Sequence, residues 1–143
     1  MDSKLKKTQL GVLVKLVALA GKLRAIDIFI PPLNLCIEFD GSYWHKGKRE
    51  LDKIKSELLL NHGLQVIRVR EEPLEKIHDT DVIGKKPYSG KQVTNDILSM
   101  ILKMYDLDGE LINHIKIYQS MNELQNEKGL DRLALNTIFF SCN

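Results

Sequence analysis

The chain has 143 residues, of which 43% are hydrophobic and 28% charged, with a formal net charge of +2. That size suits one ordinary domain with its own core, and so small a net charge gives no argument from totals for a polyanionic partner. Two distant cysteines, Cys36 and Cys142, form no CxxC pair, so neither a zinc ribbon nor a disulfide framework is suggested, and a reducing, cytoplasmic setting is expected.

The amino-terminal end is basic: Lys4, Lys6, Lys7, Lys15, Lys22 and Arg24 stand against Asp2 alone, leaving the remainder acidic. From Leu5 to Leu19 the apolar residues Leu5, Val12, Leu13, Leu16, Val17 and Leu19 suit a helix that stops at Gly21. Residues 1–24 therefore read as an N-terminal basic helix. Basic residues before an apolar run also mark secretory leaders, but Lys15 interrupts the run, and the uninterrupted length is too short to span a bilayer.

"AIDIFI" (25–30) and "LCIEFD" (35–40) alternate in the manner of strands, and "PPLN" (31–34) between them suits a turn, so an antiparallel hairpin is expected. Pairing sets Asp27 opposite Glu38. Sending the isoleucines and leucines toward the core places Asp27, Glu38 and Asp40 together on the other face. Residues 46–62 read as a helix with an apolar stripe of Leu51, Ile54, Leu58 and Leu59, ending at "NHG" (61–63). "LQVIRVREE" (64–72) follows as a strand closed by Pro73, and a helix leading into a strand implies a crossover onto a mixed sheet. The hairpin, helix and strand make a core over residues 25–77.

Residues 78–91 are polar and rich in turn formers and read as a loop. Helical spacing returns over 92–107 with Val93, Ile97, Ile101 and Met104, and weaker helical patterns lie at 109–121 and 129–138. Residues 92–143 are therefore expected to form a helical segment packed on the core. The fold class that results is α/β, a single domain with a central mixed sheet and flanking helices.

Gathered carboxylates repel one another and lose hydration near a core, which a bound cation would offset. Magnesium needs few protein ligands and supports phosphodiester hydrolysis, so Asp27, Glu38 and Asp40 are candidate metal ligands. His45, with an unperturbed pKa close to neutrality, is a candidate for proton transfer and equally for metal ligation. Gly41 would allow close backbone approach or positive φ, and Tyr43 and Trp44 would line the base of the site or wedge against bases. Lys48 and Arg49 in "HKGKRE", and Arg68 and Arg70 on one strand face, are candidates for phosphate contact; pairing of the last two with Glu71 and Glu72 is the structural alternative.

The ordered run "IDIFIPPLNLCIEFDGSYWH" followed by "LDKIKSELLLNHGLQVIRVREEPLEKI" resembles the very short patch repair endonuclease-like branch of the PD-(D/E)xK nuclease superfamily, which includes phage homing endonucleases. The resemblance covers roughly residues 24–77. It implies a restriction-endonuclease-like fold and a metal-dependent endodeoxyribonuclease using Mg2+ or Mn2+, with DNA as partner. By position it makes Asp27 the principal metal ligand, Glu38 and Asp40 the second acidic element, and His45 the proton-handling histidine. Asp52 and Lys55 fall where related enzymes often carry a polar residue and a lysine; they share a helical face at i and i+3, and a surface ion pair is the preferred reading over a role in orienting water or phosphate. The chain departs from the pattern at Asp40, where the general motif has lysine, and in lacking an acid on the first helix.

Two functions follow from these residues: a metal-dependent DNA endonuclease in a repair or mobile-element context, or a catalytically degenerate relative that binds nucleic acid or protein. A homodimer or a separate targeting subunit would supply whatever targeting this chain lacks. No nucleophile elbow, phosphate-cradling glycine loop or HExxH motif supports a small-molecule hydrolase.

Overall fold

The computed structural model describes residues 15–19 and 22–121. They divide into two compact units, one running to Lys86 and the other beginning at Pro87. In the first unit, strands β1 (Lys15–Leu19) and β2 (Lys22–Ile26) pair antiparallel as a two-stranded sheet. Residues 15–19 are thus a strand where helical spacing had suggested a helix, a correction that the four aliphatic residues after Lys15 permit because so short a run satisfies either period. Residues 22–24, also within the expected helix, belong to β2, and its remaining residues lie outside the described ones.

Asp27 makes a bend, so the expected strand over 25–30 is split, and the chain resumes as β3 (Ile28–Ile30). Pro31–Leu33 form one 3-10 turn closed by Asn34, whose φ of 46° is left-handed and suits asparagine. β4 (Leu35–Asp40) then returns antiparallel with Ile28 opposite Ile37, and the same register continued one step sets Asp27 opposite Glu38. The hairpin is as expected.

A four-residue helix α1 (Ser42–His45) precedes the main helix α2 (Arg49–Asn61), which feeds β5 (Gln65–Glu71) parallel to β4. β6 (Val82–Gly84) lies parallel to β5 inside the stretch expected to be loop. Its three residues are too few to show alternation. The sheet order is β3-β4-β5-β6, a mixed four-stranded sheet within an α/β fold.

β4 and β5 are interior strands, buried on both faces except at Phe39 (42% exposed) and Gln65. One face carries Leu35, Ile37, Ile67 and Val69, all buried. On the other, Cys36 and Val66 join Ile26 and Leu59 in an apolar cluster, and Glu38, Asp40, Arg68 and Arg70 continue the same rows. The acids do sit opposite the aliphatic face, but their face is itself covered. Helix α2 turns Asp52, Ser56 and Leu59 inward, while Leu51 (65% exposed) and Ile54 (51% exposed) point outward. This corrects the expected apolar stripe, of which Leu59 is buried and Leu58 half-buried against the cluster. The buried charges of β4 and β5 demand polar partners, and that demand outweighs the gain from covering two aliphatic side chains.

The second unit contains α3 (Gly90–Met104) and α4 (Gly109–Ser120), capped by Ser89 and Asp108, whose side chains accept from the backbone N–H of Gln92 and Leu111. Leu98, Ile115 and Tyr118 form their shared core, with Leu102, Leu107, Leu111 and Met121 around it. The helix expected at 129–138 lies outside the described residues. Among the described residues no helix is long and apolar enough to cross a membrane.

The orientation of α2 is tested by truncation. Leu59→Ala is expected to cost about 2–5 kcal/mol in urea denaturation, and Ile54→Ala less than about 0.5 kcal/mol; the reverse order would mean that the helix faces the sheet with its aliphatic stripe.

Candidate functional site

Parallel pairing of β4 and β5 places Glu38 beside Arg68 and Asp40 beside Arg70, so two carboxylates and two guanidiniums alternate on one buried patch. Asp40, 1% exposed, receives a forked pair of bonds from Arg68, Nε to Oδ2 at 2.7 Å and Nη2 to Oδ1 at 2.9 Å. Arg70 Nη1 adds a third bond to Asp40 Oδ2 at 2.7 Å and reaches Asp52 Oδ2 of α2 at 3.0 Å. The remaining donors go to Ser56 Oγ at 3.1 Å from Arg68 and to the Glu75 carbonyl at 2.8 Å from Arg70. Burial disfavours charge on Arg68, but its hydrogen bonds to Asp40 and the nearby carboxylates of Asp40, Asp52 and Glu38 outweigh burial and raise its pKa.

His45 closes this network from α1. Its Nδ1 lies 2.9 Å and 3.0 Å from the two Asp52 oxygens and 3.5 Å from Asp40 Oδ1. The start of α1 is held by Glu71, whose Oε2 accepts from the Ser42 backbone N–H at 2.6 Å and hydroxyl at 2.9 Å. Those two bonds keep the Glu71 carboxyl below the ordinary glutamate range. Gly41 is extended, with φ of −65°, and an added Cβ would meet Glu71 and Trp44 only at ordinary contact distance, so the expected need for glycine there is corrected. Tyr43 and Trp44 are 82% and 70% exposed and stack edge to face, so they do not line the base of the site.

Glu38 differs from Asp40. Its Oε2 takes Lys55 Nζ at 2.5 Å, whereas Oε1 is buried with no hydrogen-bond partner among the described residues. Desolvation pushes the Glu38 carboxyl above its ordinary pKa; Lys55 and Arg68 pull against that shift, and the neighbouring Asp27 charge adds to it. Asp27 itself is exposed, its Oδ2 accepting from the Phe39 backbone N–H at 2.7 Å. The structure therefore brings Asp27, Glu38 and Lys55 into one group, and Asp40, His45 and Asp52 into another.

Both groups can be tested for a divalent cation. Asp40, His45 and Asp52 offer ligand atoms within 4.8 Å of one another. Their two carboxylates are already neutralised by two guanidiniums bonded to the same oxygens, so an added ion would meet positive charge at contact distance. Asp27 and Glu38 stand opposite one another in the continued β3–β4 register, Glu38 Oε1 lacks a donor among the described residues although Lys55 holds Oε2, and hard oxygen ligands of this kind suit Mg2+ or Mn2+.

Arg68 and Arg70, expected to contact phosphates or pair with Glu71 and Glu72, instead pair with Asp40 and Asp52 at 1% exposure and present no surface to a ligand. Lys48 and Arg49 are exposed, Arg49 touching the Glu75 carbonyl at 3.4 Å. Asp52 and Lys55 do not pair with one another as a surface ion pair would; each faces inward to a different partner. Ser56 and Glu71 were missed, though Asp52, Lys55, Ser56 and Leu59 do form an i, i+3, i+4, i+7 stripe. Comparison of the chain with protein-family models, curated proteins and solved structures gives no match.

Two stability measurements follow. Asp40→Asn is expected to cost about 3–5 kcal/mol, because it strands two buried guanidiniums, whereas a loss below about 1 kcal/mol would show the network to be solvent-screened. For Glu38 the raised pKa sets the sign: its neutral form is favoured in the fold, a stabilisation full below the unfolded value of 4.5 and lost as pH rises through the folded value. Metal-free Glu38→Gln should therefore melt above the wild type at neutral pH, with the difference closing toward pH 4.5.

Proposed function

We propose that this chain is a metal-dependent DNA endonuclease that hydrolyses phosphodiester bonds, of the very short patch repair endonuclease-like kind within the PD-(D/E)xK superfamily. The observation that carries the reading is the grouping of Asp27, Glu38 and Lys55, with one buried Glu38 oxygen lacking a donor. The order of the motifs along residues 24–77 supports it.

Asp27 and Glu38 would hold Mg2+ or Mn2+. Bound there, the ion supplies Lewis-acid stabilisation of phosphate charge and lowers the pKa of water. Lys55, half-buried on α2, places a positive charge beside Glu38 where the strand itself has no lysine. It offsets the charge of the acids and can turn to a phosphate oxygen. Asp40 takes no part as a ligand, since both its oxygens accept from arginine. Glu38 and Asp40 stand two positions apart on one strand face, roughly 7 Å, and His45 lies beside Asp40, on the side of the site from which it would handle the proton.

Exposed Lys46, Lys48 and Arg49 beside Tyr43 and Trp44 combine phosphate-seeking charge with aromatic faces that stack on bases. A second reading, a degenerate fold that binds without cutting, has its own support: the Phe39 N–H and Lys55 occupy one oxygen each of Asp27 and Glu38.

Plasmid nicking in Mg2+ or Mn2+ decides between them. The endonuclease reading expects metal-dependent nicking that falls more than about 100-fold in Asp27→Asn, beyond what loss of an outer-shell metal partner usually costs, together with a Mn2+-induced rise in Tm that the variant lacks. Binding to DNA without cleavage in either metal would establish the degenerate reading instead, and cleavage surviving Asp27→Asn would refute the site.

A further inference from the structure

Asp52 has no role in the metal group, yet α2 buries it against His45 and Arg70. A carboxylate can only accept, so the 2.9 Å and 3.0 Å contacts require the hydrogen to sit on His45 Nδ1. In the neutral ring the lone pair is then on Nε2, on a side chain that is 25% exposed. Asp52 cannot readily turn away, because Arg70 Nη1 holds its Oδ2 at 3.0 Å and Arg68 Nη2 stands 3.6 Å from its Oδ1.

We propose that Asp52 is a positioning residue that fixes His45 in the Nδ1–H tautomer, with Arg70 locking Asp52 in turn, so that Nε2 is the proton acceptor of the site. Its kinetic consequence rests on the endonuclease reading; the tautomer does not. In hydrolysis the water oxygen bonds to phosphorus, the ester P–O bond breaks with its electron pair on the departing oxygen, and the proton of the water passes to Nε2.

Asp52→Asn discriminates because the substitution is almost isosteric and Arg70 still requires an oxygen. The amide oxygen keeps the Arg70 bond, and the NH2 group is turned onto His45 Nδ1, which must then accept and carry its hydrogen on Nε2 instead.

The test is long-range 1H–15N NMR of the full chain labelled at histidine, with His45 assigned by its disappearance in His45→Ala, alongside nicking kinetics. The wild type is expected to show Nδ1–H and Asp52→Asn to show Nε2–H. The variant should lose about 10²- to 10⁴-fold in kcat, the range of general acid–base catalysis, with KM nearly unchanged. In the His45→Ala background Asp52→Asn should cost nothing further.

An Nε2–H wild type overturns the proposal whether or not Asp52→Asn folds. So does a tautomer switch without loss of kcat, or a loss that persists undiminished in the His45→Ala background, which would mark Asp52 as merely structural. A wild type that shows Nδ1–H but never cleaves DNA refutes the endonuclease reading and leaves the positioning of His45 standing.

Discussion

Four charged side chains, Asp40, Asp52, Arg68 and Arg70, are buried against one another, and the rest of the first unit is arranged to satisfy them. Ions removed from water lose several kcal/mol of solvation each, which only close pairing and complete hydrogen bonding offset. Parallel register of β4 and β5 supplies the pairing, because residues 38 and 40 then lie beside residues 68 and 70. Helix α2 supplies the remainder through Asp52 and Ser56, at the expense of leaving Leu51 and Ile54 in solvent. His45 inherits its orientation from the same network.

Much of the frame was legible from alternation and turn chemistry. The hairpin around "PPLN", the opposition of Asp27 and Glu38, the β4–α2–β5 crossover and the helices expected at 92–107 and 109–121, found at 90–104 and 109–120, follow from local period and turn residues. The facing of α2 did not follow, because Leu51, Ile54 and Leu58 offer a convincing apolar stripe, and only the partner strands reveal that the polar stripe wins. β1 and β6 were too short for a period to declare itself.

Site residues divide along the same line. Pairing and alternation gather Asp27, Glu38 and Asp40 on one face, but the structure gives Asp40 to Arg68 and Arg70 and brings Lys55 to Glu38 instead. Arg68 and Arg70 looked like surface cations because alternation says which face a strand residue takes, but not whether that face is covered. Glu71, which holds α1 through Ser42, is separated from it by 29 positions and leaves no local trace. Two acid centres therefore coexist: arginines hold both oxygens of Asp40, whereas Lys55 holds one oxygen of Glu38 and the other has no donor among the described residues. The proposal rests on that difference: the arginine-held centre is read as a support for His45, and Asp27 with Glu38 as the proposed metal site.

Anomalous diffraction from crystals soaked in Mn2+ tests this difference most directly. The account predicts a peak bridging Asp27 and Glu38 and none at Asp40, His45 and Asp52. A peak within the second group, with Arg68 and Arg70 displaced, or no peak at Asp27 and Glu38 at saturating Mn2+, would contradict it.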